Sequence, residues 1–163
     1  MSETIKTVSI PNIAWETSAN IHLPPNFDNK EYPAVVSAHP ISSCKEQTSG
    51  NVYGKAMAEA GFVVVAFNAS FQGASGGKPW FIENPEFQVS DFRFVVVQTL
   101  PYVDPERIGV LGICGGGAYA INTAMADYCF KCCVGITPAN FGHLTREAFG
   151  GFDFAGSLEK MAT

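Results

Sequence analysis

Apolar residues in this chain fall into short runs separated by turn-rich segments, and the runs follow two different periods. Between residues 4 and 23 the pattern predicts two short strands around a turn at Pro11-Asn12. The second alternates Ala19, Ile21 and Leu23 with polar positions, as a half-exposed edge hairpin does. Residues 34–38 (Ala-Val-Val-Ser-Ala), 62–67 and 108–112 are almost wholly apolar, the composition of strands buried on both faces. A further strand is predicted over 132–136. Helical spacing separates these runs. Val52, Ala56, Met57 and Ala60 share one predicted face, which Gly61 ends as a C-cap. Asn84-Pro85 is an N-cap and first-turn pair for a helix carrying Val89, Phe92, Val96 and Leu100 until Pro101 stops it. An alanine-rich helix follows Cys114, and the tail over 138–163 has no clear period.

This order, a hairpin and then strands alternating with helices, predicts a single α/β domain over residues 1–163. The expected architecture is three-layer αβα, with a mostly parallel sheet and an N-terminal antiparallel edge hairpin. Such a sheet binds ligands at the carboxyl ends of its strands. His39, Asn68, Cys114 and Thr137 all follow predicted strands, and this convergence marks the candidate site.

Composition narrows the function classes. The chain has 163 residues, enough for one sizeable core, and ten Lys+Arg against fifteen Asp+Glu give a net charge of −5. With no basic cluster, no nucleic-acid partner is expected. No apolar run approaches a membrane span, and the polar opening does not read as a signal peptide. Five cysteines, three of them crowded into 129–133, do not form a secreted disulfide framework, so a cytoplasmic location is expected. Cys129-Phe130-Lys131-Cys132 leaves a helix and enters a strand, the reverse of a redox CxxC, and reads as buried structural cysteine. The glycine clusters match neither a phosphate-binding nor a dinucleotide-binding spacing, so no cofactor or metal is expected. Asp91 and Asp104 read as caps or surface charges, and His22 receives no role. Trp80 and Phe81 either line a substrate mouth or merely pack, and Cys44 is placed near the mouth of the site.

The candidate chemistry lies in Gly112-Ile113-Cys114-Gly115-Gly116, a G-x-nucleophile-x-G pentapeptide with cysteine at its centre. At a tight strand-to-helix turn the central residue is forced into a strained conformation, and its neighbours two positions away must be small. The first N–H groups of the following helix favour negative charge, on a thiolate or on an oxyanion. The alternative is a glycine-rich turn around a structural cysteine.

Several further motifs occur in order: Leu23-Pro24-Pro25, His39-Pro40, Lys45-Glu46-Gln47, Phe71-Gln72-Gly73-x-Ser75-Gly76, and Val103-Asp104-x-x-Arg107-Ile108-Gly109 leading into the pentapeptide. With these the chain, up to about residue 145, resembles the α/β-hydrolase superfamily and within it the dienelactone-hydrolase-like bacterial enzymes. The resemblance implies Cys114 as nucleophile and an oxyanion hole from the N–H groups of Gly115 and Ile41. It also implies a catalytic acid and a His on later strands, which fall beyond this chain. Asn68 stands where related sequences often carry Asp, and Asn68 and Gln72 are the candidate substrate-binding residues. His39 either activates Cys114 or only supports the oxyanion loop, and His143 is the commoner surface histidine. The expected substrate is a small ester, lactone or thioester. The alternative is a catalytically incomplete half-domain that folds by oligomerising. In either case the sheet edge beside Cys132 calls for a second copy, a completing chain or a rearranged tail (Phe141, Phe149, Phe152 and Phe154) to cover it.

Overall fold

The computed structural model describes residues 5–28, 30–97 and 100–147, with the side chains of 96, 97 and 145 outside that description. Phe149, Phe152 and Phe154 therefore lie outside the described residues. Six strands form one sheet: β1 (Ile5–Pro11), β2 (Glu16–His22), β3 (Tyr32–Ala38), β4 (Val63–Phe67), β5 (Val103–Ile113) and β6 (Phe130–Ile136), in the order β1-β2-β4-β3-β5-β6. β1 pairs with β2, and β2 with β4, antiparallel; β4, β3, β5 and β6 run parallel. The hairpin turn is closed by the bond from Asn12 N–H to Trp15 O at 2.8 Å, just beyond the expected Pro11-Asn12.

Alternation along the central strands divides the core between two faces. Ala34, Val36, Ile108 and Val110 face one side, where Phe92, Val95, Tyr119 and Ala120 cover them from α2 (Pro85–Val97) and α3 (Gly115–Ala126). Phe67 and Phe92 meet edge to face with centroids 5.2 Å apart. Val35, Val64 and Leu111 face the other side, against Tyr53 and Met57. Those two belong to a π-helical turn (Thr48–Gly54) that runs into the short helix α1 (Lys55–Glu59). A last helix, α4 (Phe141–Glu147), is capped by Asn140, whose Oδ1 accepts from His143 N–H at 2.9 Å. The three-layer αβα arrangement with an antiparallel edge hairpin is thus present.

Four sequence expectations change. The face of Val52, Ala56, Met57 and Ala60 is not the buried one: Val52, Ala56 and Ala60 are exposed. The π-helical turn shifts the register, so that Gly50, Gly54 and Ala58 are buried instead, the two glycines against His22. Leu100 lies outside α2 and packs on the core from the connection to β5. Of the CxxC pair read as buried, Cys129 is half-buried and Cys132 exposed, because β6 is the edge of the sheet among the described residues. Asp91 is neither a cap nor a surface charge, being 1% exposed. No helix among the described residues is long and apolar enough to cross a membrane.

Candidate active site

Cys114 joins β5 to α3 with φ 55° and ψ −119°, a conformation that costs a non-glycine residue about 1–3 kcal/mol. The surrounding backbone over-determines it. The Cys114 N–H donates to Ile136 O at 2.9 Å on β6, and its carbonyl accepts from Ala139 N–H at 2.9 Å and Gly117 N–H at 3.0 Å. The neighbouring glycines are required by close approach. A Cβ on Gly112 would lie 2.0 Å from Gly116 O, and one on Gly116 would lie 2.4 Å from His39 O. The pentapeptide is therefore a strained elbow between strand and helix, with the backbone its spacing calls for. The thiol is half-buried.

β3 lies beside β5, with Ala38 in register with Gly112, so the segment after β3 passes next to the elbow. A Cβ on Gly115 would meet Ile41 Cγ1 at 2.4 Å, so Ile41 rests against the first residue of α3. The N–H of Gly115 has no acceptor within the helix, as at any helix start. The Ile41 side chain and Gly115, the residues of the two expected donors, are thereby in contact.

His39 is buried, and both ring nitrogens are committed. Nδ1 lies 2.7 Å from Pro40 O and Nε2 accepts from Ala69 N–H at 3.1 Å, which makes Nδ1 the protonated nitrogen. Burial holds its pKa below the ordinary imidazole value. Of the two sequence readings, these bonds match the one in which His39 ties the loop after β3 to the end of β4. Neither nitrogen bonds to Cys114.

Asn68 is also placed differently from its expected substrate-binding role. It is 1% exposed, its Oδ1 accepts from Lys45 N–H at 2.7 Å, and a Cβ on Gly73 would meet its Nδ2 at 2.4 Å. The side chain therefore holds two loops together from beneath. Gln72 faces a cleft next to the elbow, whose lining residues do not include Cys114 itself. With Ile41, Cys44, Gly73, Phe81 and Glu83 it borders this cleft of about 430 Å³. Phe81, 80% exposed, stands at the rim, and Cys44 also borders the cleft.

Two features escaped sequence reasoning. Glu83, just before the Asn84 cap of α2, accepts a bond from Tyr119 Oη on α3 at 2.7 Å. Burial pushes its carboxyl up, while the Tyr119 bond acts the other way. The one available signal was its place before Asn84-Pro85. Asp91 accepts from Ser70 N–H at 2.7 Å, Ser70 Oγ at 2.6 Å and Asn12 Nδ2 at 2.8 Å, and burial pushes its pKa up to about 6. It braces the loop after β4. Asp104 is a turn cap, as read, accepting from Glu106 N–H at 2.9 Å. His143 is exposed on α4.

No protein-family model matches the chain. It is 40% identical over 152 residues to the uncharacterized protein YcjY of Escherichia coli K12, covering 91% of this chain and 49% of that protein. The crystal structure of the hypothetical protein PA2218 from Pseudomonas aeruginosa superimposes with a TM-score of 0.87 at 33% identity, over 99% of this chain and 53% of that one. The thiohydrolase aneE of Aspergillus aculeatus is 32% identical over 111 residues, which are 65% of this chain and 34% of that protein. The α/β hydrolase GrgF from a Penicillium species matches in fold, with a TM-score of 0.75 at 18% identity over 96% of this chain and 55% of that one. The chain thus spans about half the length or less of the curated relatives it matches. Strand order, elbow and neighbours agree: this chain has the α/β-hydrolase fold, over a stretch equal to about half of such a protein.

Proposed function

We propose that this chain carries the nucleophile side of an acyl hydrolase or acyltransferase acting on small esters, lactones or thioesters, with Cys114 as nucleophile. The observation that carries this is the backbone of Cys114, whose strain is maintained by glycines and cross-strand bonds when a glycine there would remove it. The thiohydrolase relative supports thioesters within that class. In this reading the Cys114 thiolate attacks the acyl carbonyl carbon and forms a C–S bond. The N–H groups of Gly115 and Ile41 hold the oxyanion. The leaving thiolate or alkoxide departs, taking up a proton, and water then cleaves the acyl-enzyme to release the acid and restore the thiol. His39 positions the loop that carries Ile41.

A second reading is favoured by the His39 bonds. With both of its nitrogens committed to backbone groups, no described histidine is bonded to Cys114. The chain then acylates without turning over, and a second copy or a completing chain supplies what is missing. Stoichiometric release from an activated thioester, with an acyl adduct on Cys114 in the intact mass, is expected; Cys114→Ala abolishes both. Continued release beyond one equivalent selects the first reading and a burst alone the second. A burst that survives Cys114→Ala refutes both.

A further inference from the structure

The Glu83 carboxylate borders the cleft, which adjoins the elbow through Ile41 resting on Gly115, and among the described residues it has no cationic partner. One oxygen accepts from Tyr119 Oη, itself buried on α3, which fixes the carboxylate in place. Among the described residues no Lys or Arg lines the cleft; its other polar groups are the neutral Ser42, Ser43, Gln47 and Gln72. The nearby Lys45 ammonium is buried and paired with Glu46, outside the lining. The exposed ring of Phe81 adds a π-face at the rim, which a cation favours over an anion. A half-buried carboxylate is costly without a counter-charge, and a ligand bringing one recovers that cost.

From this we infer that the cleft selects acyl donors bearing a protonated amine, Glu83 being the recognition group and Tyr119 its positioning residue. Donors bearing a carboxylate are disfavoured there. The inference rests on the Cys114 reading for its chemistry but not for its binding site. If Glu83 served only to brace α2 against α3 through Tyr119, its loss would weaken every substrate alike.

The test compares p-nitrophenyl esters of β-alanine, propionate and succinate (as the monoester) on the full chain. The expected result is an acylation rate constant per unit ester about tenfold higher for the β-alanyl than for the succinyl ester, shrinking as salt screens the pair. Glu83→Gln removes most of that ratio, and Glu83→Asp, which keeps the charge, retains it. A ratio near unity in the wild-type chain, a ratio insensitive to salt, or an equal loss on all three esters in Glu83→Gln overturns the inference. If no ester gives a Cys114-dependent burst, the parent reading fails by itself. Recognition is then read from shift titrations with propylammonium and propionate. Tighter binding of propylammonium, lost in Glu83→Gln, upholds it, and equal binding overturns it. Should Glu83→Gln fail to fold, the salt dependence of the wild-type preference decides.

Discussion

At the scale of single residues, Cys114 holds a backbone conformation that folding alone would not favour. Its φ of 55° is tolerated at a cost of about 1–3 kcal/mol, because β6, the loop after it and the start of α3 all bond to its peptide groups. Glycine would relax that strain, less the entropy glycine adds to the unfolded chain. Cys114→Gly is therefore expected to unfold at higher urea, by about 1 kcal/mol, while losing all acylation. A glycine variant no more stable than Cys114→Ala would mean that the turn is not strained. The pentapeptide was readable because its requirement is local: positions 112 and 116 must be small wherever the turn occurs. The role of Asn68 was not. Its place after a strand is the same whether its amide faces substrate or, as here, folds beneath a loop onto the Lys45 N–H.

At the scale of elements, Asp91 binds α2 to the loop after β4 and, through Asn12, to the β1–β2 turn. Burial raises its pKa from 3.8 to about 6 against the pull of three donors. A folded-state pKa above the unfolded one means that the folded chain holds its proton longer. This group's contribution to stability is therefore complete below pH 3.8 and declines as pH rises to about 6. Urea midpoints for wild type and Asp91→Asn at about pH 4 and about pH 7 check this. The substitution costs more at the lower pH, because only wild type carries the decline. An equal cost at both would place the carboxyl at its ordinary value. Helix and strand existence followed from periodicity, but the face of the helical stretch after β3 did not. The π-helical turn rotates the chain between Gly50 and Lys55, and the packing of His22 on two glycines selects the buried side.

At the scale of the molecule, β6 has the sheet on one side only among the described residues, and Lys131 through Gly135 are exposed along it. Val134 is 49% exposed there, while Met125 and Tyr128 are bare at 78% and 90% on the approach from α3. An open apolar strand edge is a pairing hazard. We propose that this edge is covered by a second copy or a completing chain. Light scattering is expected to show a species larger than the 17.5 kDa monomer, and Val134→Lys to shift it toward the monomer. A wild-type chain that stays monomeric at high concentration would exclude the second copy and leave the completing chain as the cover.

Whatever depends on near neighbours is written in the residues alone: the strands and helices, the parallel sheet with its leading hairpin, and the elbow around Cys114. Period, caps and the spacing of small residues are local quantities, and they read the same before and after folding. Which side chains meet across the strand ends is settled by folding. Glu83 and Tyr119 are 36 positions apart, and His39 reaches 30 positions on to Ala69. No periodicity links such pairs, because their distance is set by how the sheet orders its strands. The division of His39, Asn68, Gln72 and Glu83 between scaffold and cleft therefore became visible only in the folded chain.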